Sequence, residues 1–412
     1  MFSRVRKTIA EYPFQFWILF CGRFIGSAGG SLVWPFMTIY LRQRLNIPLT
    51  TVGLLFAVSS GVGLVSQFIW GPVIDRFGRK TALLVGLANE VVVMVAFGLL
   101  DSLEAFAILI ALSGLIEPSS RIASNTIVAD IIEPERRPRA YALLRMIANL
   151  GVAIGPAIGG FIATRSYLLS FMAAAASAAT FLLLSTLFIK ETKPELEGER
   201  DEAMEGYGRV LRDYPFLAFC GAYTLLGIAY AQMMTLLPVY IKEGYGILER
   251  SYGFIMATNA AMVVLFQYSI TRVTERYRAA PVLAAGALFT ALGVGSVALG
   301  NSFPLFLMSM AILTIGEMLI IPTSVSLVAD MAPVTMRGRY MGVYGLTWGI
   351  AFGVGPILGG YLNDTIAPVY IWYEAFILGL LSTLAFQLIG MVITQKPAVS
   401  LKADDEGRRE WR

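Results

Sequence analysis

The sequence predicts an all-α integral membrane protein in which twelve transmembrane helices form two six-helix bundles. Three observations predict it: the composition, a series of long apolar runs, and motifs that repeat at an offset near 200 residues. The 412-residue chain is 57% hydrophobic but only 15% charged, whereas about a quarter of the residues of soluble proteins are charged. The deficit of charge indicates that most of the surface faces lipid.

Twelve apolar runs are long enough to cross a bilayer, for which a helix needs about 20 residues. They lie at roughly 14–41, 50–70, 81–100, 104–131, 140–162, 167–189, 214–241, 251–271, 281–299, 303–331, 338–362 and 370–393. Several of these runs exceed 25 residues, so we expect those helices to tilt or to project beyond the bilayer. Segments of about ten residues with alternating polarity, typical of a transmembrane β-barrel, are not visible.

The distribution of Lys and Arg predicts the orientation. With the N-terminus in the cytoplasm, the cytoplasmic segments hold 24 of these residues and the outer segments hold 5. Positively charged loops stay on the cytoplasmic side. We therefore expect a multi-pass protein of the cell (inner or plasma) membrane with both termini in the cytoplasm.

Residue usage argues against several functional classes. The chain has no His, and its two cysteines, Cys21 and Cys220, lie in apolar runs, so there is little material for a metal centre, a cofactor site or an enzyme. The basic residues are accounted for by topology and form no stripe with aromatic residues, so nucleic acid is not an expected partner. A nucleotide-binding loop, which an ATP-driven pump would need, is not seen.

The polar segment 190–213 separates six spans from six. Motifs on either side repeat in one register: Val128-Ala129-Asp130 with Val328-Ala329-Asp330, Glu117 with Glu317, and Gly155-Pro156-x-x-Gly159-Gly160 with Gly355-Pro356-x-x-Gly359-Gly360. Two repeats of the same orientation are typical of transporters that bind substrate between their halves. The predicted organisation is a cytoplasmic N-terminus (1–13), a first bundle (14–189), a cytoplasmic linker (190–213), a second bundle (214–393) and a cytoplasmic tail (394–412).

Two motifs resemble those of the Major Facilitator Superfamily, and the resemblance covers residues 12 to 395. Gly71-x-x-x-Asp75-Arg76-x-Gly78-Arg79-Lys80 resembles the motif between spans 2 and 3, and Gly151-x-x-x-Gly155-Pro156-x-x-Gly159-Gly160 resembles the span 5 motif of the 12-span drug:proton antiporters. The resemblance implies a monomer. It also implies a cytoplasmic latch in which Asp75 and the neighbouring bases act with Asp130, Arg137 and Arg139.

The residue types in these motifs suit such roles. We expect Gly71–Lys80 to form a short hairpin loop at the membrane face, in which Gly71 and Gly78 allow positive φ and close backbone approach. The glycines of span 5 have a spacing of four, which allows helices to pack closely, and Pro156 permits a bend. Close packing alone would explain this run; the resemblance implies in addition a deformable joint that prevents proton leakage.

Some charged residues lie several residues inside an apolar run, namely Arg23, Glu90, Glu117, Arg121, Arg145 and Glu317. A charge at the centre of a bilayer costs about 2.5–3.5 kcal/mol, so we expect these residues to pair or to face a wet cavity. Glu117 and Arg121 share one helix face and could be a structural pair. We interpret the three arginines as cavity charges and Glu90 as structural, because span 3 is peripheral in the fold that the resemblance implies.

Glu317 has no basic residue within one helical turn. Without His, a carboxylate in apolar surroundings is the natural group to take up and release a proton. We therefore predict Glu317 as the proton-coupling residue, with Glu117 second. The alternative is a purely structural hydrogen bond to another helix, or a pair with Arg23.

The sequence thus predicts a secondary transporter that exports lipophilic or amphipathic molecules in exchange for protons by alternating access. Its partners would be membrane lipids, a small-molecule substrate and the proton as coupling ion. The predicted substrate contacts, each with an alternative role in packing or at the lipid interface, are Trp34, Tyr230, Gln232, Asn259 and Trp348. A lipid or glycolipid flippase, with head groups held by the arginines, and an importer of sugars or metabolites are the alternative functions.

Overall fold

The computed structural model describes residues 11–133, 136–192, 207–274, 276–333 and 336–394. These residues form helices joined by short connections, and no strand occurs among them. Twelve of the helical segments are long and apolar enough to cross a membrane. The predicted all-α fold with twelve spans is confirmed.

Six spans form the N-terminal half. Span 1 consists of Phe14–Ser31, a 3₁₀ turn at Trp34–Phe36 and a short helix Met37–Leu45. Spans 2 to 6 are Leu49–Phe77, Arg79–Leu99, Leu103–Ile131, Arg137–Ala163 and Tyr167–Phe188. A four-residue helix, Tyr207–Val210, precedes the second half.

The C-terminal half repeats this plan. Span 7 consists of two helices, Tyr214–Thr235 and Leu237–Tyr245. It is therefore interrupted at the position in the repeat that corresponds to the interruption of span 1. Spans 8 to 12 are Glu249–Thr274, Ala279–Ser296 with a 3₁₀ turn Val297–Leu299, Phe303–Met331, Arg337–Thr365 and Tyr370–Thr394. Pro35 and Pro238 each lie just after the break, where a missing backbone N–H is tolerated.

The predicted hairpin loop over residues 71–80 is wrong. Span 2 stays helical as far as Phe77 and span 3 begins at Arg79, so Gly78 alone separates the two helices. Gly78 has φ +102°, a conformation that glycine adopts without strain, whereas Gly71 is an ordinary helical residue. A helix of 29 residues rises about 43 Å at 1.5 Å per residue, so its charged end can leave the hydrocarbon without a loop.

The two halves pack through span 2 against span 11 and span 5 against span 8. The contacts repeat at the offset seen in the sequence. A Cβ at Gly53 would lie 2.5 Å from the carbonyl oxygen of Pro356, and one at Gly253 would lie 2.5 Å from that of Pro156. The repeat therefore produces a pseudo-twofold interface in which the helix backbones touch.

The halves meet at one end of the molecule, which we call the sealed end; it carries residues 42–50, 242–250 and 363–368. There a buried core joins Phe36 and Leu49 of the first half to Leu237 and Tyr252 of the second. The other end, the motif end, carries residues 71–80. Spans 2 and 11 still touch where a Cβ at Gly349 would meet Leu64, whereas Cβ atoms at Gly71 and Gly345 would find nothing within 4 Å.

Candidate functional site

Three spans of the C-terminal half converge on Glu317. Its Oε2 accepts a hydrogen bond of 2.8 Å from Asn259 Nδ2 and one of 3.3 Å from the hydroxyl of Tyr230. Asn259 also lies 2.9 Å from Thr314 Oγ1. Span 10 thus supplies a carboxyl group, and spans 7 and 8 supply its donors. Sequence reasoning named Glu317, Asn259 and Tyr230 but did not predict that they touch.

A small cavity lies beside this carboxyl group. It encloses about 20 Å³ and is lined by Tyr230, Glu317 and Trp348, among others. The rings of Tyr230 and Trp348 meet edge to face with centroids 5.4 Å apart. This is room for about one water molecule, so it can hold water beside the carboxyl group but not a drug-sized molecule.

Gln232, another predicted substrate contact, lies elsewhere. Its Nε2 donates a 2.8 Å hydrogen bond to Glu374 Oε2 of span 12. The Oε1 atoms of both residues are buried and have no hydrogen-bond partner among the described residues. Sequence reasoning missed Glu374, although the signal was the one used for Glu317: a carboxylate inside an apolar run.

The charged residues of the N-terminal half are arranged differently. Glu117 is exposed and, within the described part of the chain, forms no ion pair within 4.0 Å with Arg121 or Arg23. Arg23 nevertheless lies near enough to Arg121 and Glu117 to feel both charges. Arg121 and Arg145 are exposed. The structure therefore leaves these groups available to solvent or to a ligand.

A second cavity, of about 310 Å³, lies between spans 1, 2, 3 and 4. Trp34, Glu90 and Glu117 all line it. Sequence reasoning interpreted Glu90 as structural because of its place on a peripheral span, but its side chain faces this cavity. Trp34, a predicted substrate contact, thus lies with the acids of the first half and apart from Glu317.

At the sealed end, Asp364 of span 11 binds the beginning of span 2. Its carboxylate accepts hydrogen bonds from the amides of Leu49 and Thr50, at 3.3 and 2.8 Å, and from Thr50 Oγ1 at 2.7 Å. A carboxylate at a helix N-terminus satisfies free amides and the helix dipole. Arg42 adds two bonds to Glu243, of 2.8 and 3.3 Å.

The matching place in the repeat holds a second acid that joins the halves. Glu249 begins span 8, is 3% exposed, and accepts a 2.6 Å hydrogen bond from the hydroxyl of Tyr167. It also forms an ion pair with Lys242. Sequence reasoning missed both acids, because each lies at a helix end where a charge has an ordinary topological explanation.

At the motif end, the hydrogen bonds and the ion pair found for the residues of the predicted latch join parts of the N-terminal half. Arg79 Nε lies 3.2 Å from Asp130 Oδ2, and the amides of Arg79 and Lys80 donate to Glu191 at 2.8 and 3.1 Å. Asp130 also accepts from Thr192 Oγ1 at 2.8 Å. Sequence reasoning did not name Glu191.

Two other residues of the predicted latch, Arg137 and Arg76, also make contacts within the N-terminal half. Arg137 Nε donates to the carbonyl of Ile132 at 3.0 Å, and the guanidinium of Arg76 lies over the ring of Phe77 at 5.4 Å. The side chains of Asp75 and Arg139 lie outside the described residues. The predicted latch between these residues therefore stays a prediction.

The glycine run of span 5 packs against two partners. Cβ atoms at Gly151, Gly155 and Gly159 would lie within 3 Å of span 1. A Cβ at Gly160 would lie 2.7 Å from the carbonyl oxygen of Glu249 in the other half. Close packing is therefore present both within the first half and across the interface.

The pseudo-symmetric halves agree with a comparison of the whole sequence. The model of the Major Facilitator Superfamily matches residues 19–248 and 219–412. The chain belongs to the Major Facilitator Superfamily. Like the other members it is a transporter and not an enzyme, and it contacts membrane lipids and a small-molecule substrate.

Relatives within the superfamily share about a quarter of their residues with this chain. The uncharacterised transporter YqjV of Bacillus subtilis is 26% identical, over 86% of this chain and 88% of its own. A "Na(+), Li(+), K(+)/H(+) antiporter" of Planococcus maritimus is 26% identical (82% and 86%). The multidrug resistance protein MdtH of Escherichia coli (strain K12 / DH10B) is 25% identical (90% and 92%).

Solved structures of other transporters share the fold. A transporter of the POT family, in complex with a thioalcohol-conjugated peptide, superposes with a TM-score of 0.78 at 17% identity, over 93% of this chain and 97% of its own. The nucleoside transporter NupG gives 0.77 at 14% identity (92% and 99%). At these identities the likeness concerns the fold alone.

Proposed function

We propose that this transporter exports lipophilic or amphipathic molecules in exchange for protons, and that Glu317 carries the proton. The observation that carries the proposal is the setting of Glu317 on span 10. Asn259 and Tyr230 both donate to its Oε2, which leaves Oε1 for a proton. Its apolar surroundings favour the neutral form and the two donors favour the ionised form, so the group can hold either.

Alternating access then couples the proton to the substrate. The described state is closed at the sealed end, and we propose that the motif end faces the cytoplasm, as the distribution of Lys and Arg predicts. A proton and a substrate that favour different states of the two halves would each shift the same equilibrium. We further propose that the protein acts as a monomer in a cell membrane.

The names of two relatives support this proposal. One is a multidrug resistance protein and another exchanges cations for protons. An exporter coupled to protons needs a group that titrates inside the membrane, and the chain contains no His. A carboxyl group without a basic partner fits that role better than the charges of the first half, which lie near one another.

A proteoliposome assay tests the proposal. Purified protein is reconstituted with a pH-sensitive dye inside, and a panel of lipophilic amines is added. We expect drug-dependent proton flux in the wild type and a loss of about 100-fold in Glu317→Gln, since the amide cannot exchange a proton. Glu104→Gln, which removes an exposed acid at the beginning of span 4, serves as the control. Full flux in Glu317→Gln would overturn the proposal.

The flippase is the second candidate, and one observation favours it. Arg23, Arg121 and Arg145 lie on spans 1, 4 and 5 without a hydrogen bond or ion pair among the described residues. Free guanidinium groups bind phosphate well. The flippase would be favoured over the antiporter if the pH dye showed no proton flux while a fluorescent phospholipid moved across the membrane. This movement should be lost in Arg121→Gln.

A further inference from the structure

The 310 Å³ cavity of the N-terminal half lies between spans 1, 2, 3 and 4. It is separate from Glu317, whose partners all belong to the C-terminal half. Small-molecule sites typically enclose about 300–1,000 Å³, with mostly apolar walls and a few convergent polar groups. The cavity therefore has the volume that a small drug-sized molecule needs.

Aromatic rings form part of its wall. Trp34 and Phe56 lie with ring centroids 5.3 Å apart, and Phe97 also faces the cavity. Trp34 is 57% exposed, so the cavity is accessible on that side. Rings of this kind bind apolar groups and, through their faces, cations.

The charged residues of the wall are both acidic. Glu90 comes from span 3 and Glu117 from span 4, and they lie close enough for the charge of Glu117 to act on Glu90. Neither Lys nor Arg is among the described residues that line the cavity, although the charge of Glu117 also reaches Arg23, which lies outside this wall. Two carboxylates repel each other, and a cation bound between them would relieve the repulsion.

A third polar group lacks a partner. The amide nitrogen of Asn89, beside Glu90 on span 3, is buried at the wall and makes no hydrogen bond within the described part of the chain. Buried polar groups almost always have a partner, and an exception calls for an explanation. An acceptor oxygen on a bound molecule would supply that partner once the Asn89 side chain turns its nitrogen into the cavity.

We infer that this cavity binds an organic cation that carries an aromatic ring and a carbonyl or ether oxygen. The ammonium group lies at Glu90 and Glu117, the ring lies against Trp34 and Phe56, and the oxygen accepts from Asn89. The inference rests on the proposed function, because it names the substrate class of the exporter and places its cationic group inside one half. The largely apolar wall suits an organic cation better than a bare metal ion.

Binding of N-ethyl-lidocaine to the purified full-length protein tests the inference. This probe has a permanent positive charge, an aromatic ring and an amide carbonyl. By calorimetry, we expect Glu90→Gln to weaken the dissociation constant at least tenfold, while the control Glu104→Gln leaves it unchanged. An unchanged constant in Glu90→Gln would overturn the inference.

Asn89→Ala separates the contribution of the amide. It should weaken binding of N-ethyl-lidocaine several-fold but leave unchanged the binding of tetraphenylphosphonium, a cation without a carbonyl. Equal losses for both probes would contradict the assigned role of Asn89. Displacement of both probes by millimolar Na⁺ or Li⁺ would mean that the cavity holds an inorganic cation instead.

A measurement on the wild type does not depend on whether a variant folds. Dicyclohexylcarbodiimide modifies carboxyl groups in apolar surroundings, and mass spectrometry locates the product. We expect N-ethyl-lidocaine to protect Glu90 and not Glu317. Protection of Glu317 alone would overturn the inference.

Probe binding and proton flux, measured on the same variants, distinguish this inference from the proposed function. Glu317→Gln should keep probe binding and lose probe-driven proton flux. Binding that depends on Glu90, without any flux in the wild type, would overturn the proposed function alone. Flux with binding insensitive to Glu90 would overturn the inference alone.

Discussion

The two ends of the molecule hold their helices together in different ways. At the sealed end, backbones of opposite halves touch at Gly53 and Gly253, and two acids, the exposed Asp364 and the buried Glu249, bind across the interface. At the motif end, Arg79 bonds within its own half, to Asp130. Under the proposed alternating access, the interface at the sealed end must break during transport, whereas the donors and acceptors at the motif end would be free to form other contacts in another state.

The largest expected effect comes from Gly53→Ala. Its Cβ would lie 2.5 Å from the carbonyl oxygen of Pro356, so the halves must separate at the sealed end. Overpacking costs about 1–3 kcal/mol, and we expect transport to fall by about 5- to 150-fold as the sealed state is lost. Spin labels at Arg44 and Ile366, in a background without Cys21 and Cys220, would report a longer distance.

The second half of the repeat offers an equivalent variant, and span 2 itself offers a control. Gly253→Ala should act like Gly53→Ala, since its Cβ meets Pro156 in the same way. Gly61→Ala, on the same helix as Gly53, places a Cβ in open space and should have little effect. If Gly61→Ala impaired transport as much as Gly53→Ala, the interface would not be the cause.

A change at the motif end should leave the sealed end intact. Gly78→Ala places a side chain at φ +102° and brings its Cβ against the Glu191 carboxylate. Such a conformation costs about 1–3 kcal/mol for a residue with a side chain. We expect lower transport and a lower melting temperature, with an unchanged Arg44–Ile366 distance; Gly71→Ala, where Cβ has room, is the control. A changed distance would contradict the independence of the two ends.

The sequence was sufficient for the fold because hydrophobic length and the repeat are strong, local signals. The twelve spans follow from apolar runs long enough to cross a bilayer. The offset of 200 residues also relates the contact between Gly53 and Pro356 to the contact between Gly253 and Pro156. The loop at Gly71–Lys80 was mispredicted because charge marks the edge of the membrane but does not end a helix.

The candidate site was harder to predict, because its contacts join distant spans. Glu317, Asn259 and Tyr230 were each named, but nothing local links residues 58 and 87 positions apart. Asp364 and Glu249 were missed since acids at helix ends are common. The partners of Glu90 could not be read from span 3 alone, because the cavity exists only when four helices pack.

Asp364→Ala should weaken the sealed end less than a backbone clash does. It leaves the amides of Leu49 and Thr50 without their acceptor. Loss of a capping residue costs about 0.5–2 kcal/mol, so we expect the population of the sealed state to fall roughly 2- to 30-fold. The accessibility of a cysteine introduced at position 50 to a polar reagent would measure this population.

Asp101→Ala is the matched control for Asp364→Ala. Asp101 lies at the same end but pairs with Arg44 inside the first half. It should leave the accessibility of Thr50 unchanged. An equal effect of the two variants would mean that loss of any acid, and not loss of the cap, opens this end.

The smallest effect is expected for the pair Arg42 and Glu243. The side chains are 26% and 42% exposed, and exposed pairs contribute about 0.2–1 kcal/mol, less at high salt. Arg42→Ala should therefore change the sealed-state population less than about fivefold. Arg42 also bonds the carbonyl of Ile47 and lies 3.8 Å from Asp364, so a double-mutant cycle with Glu243→Ala is needed to isolate the pair. A coupling energy larger than the change in stability of the sealed state in Asp364→Ala would mean that the Arg42–Glu243 pair, and not the Asp364 cap, holds the halves together.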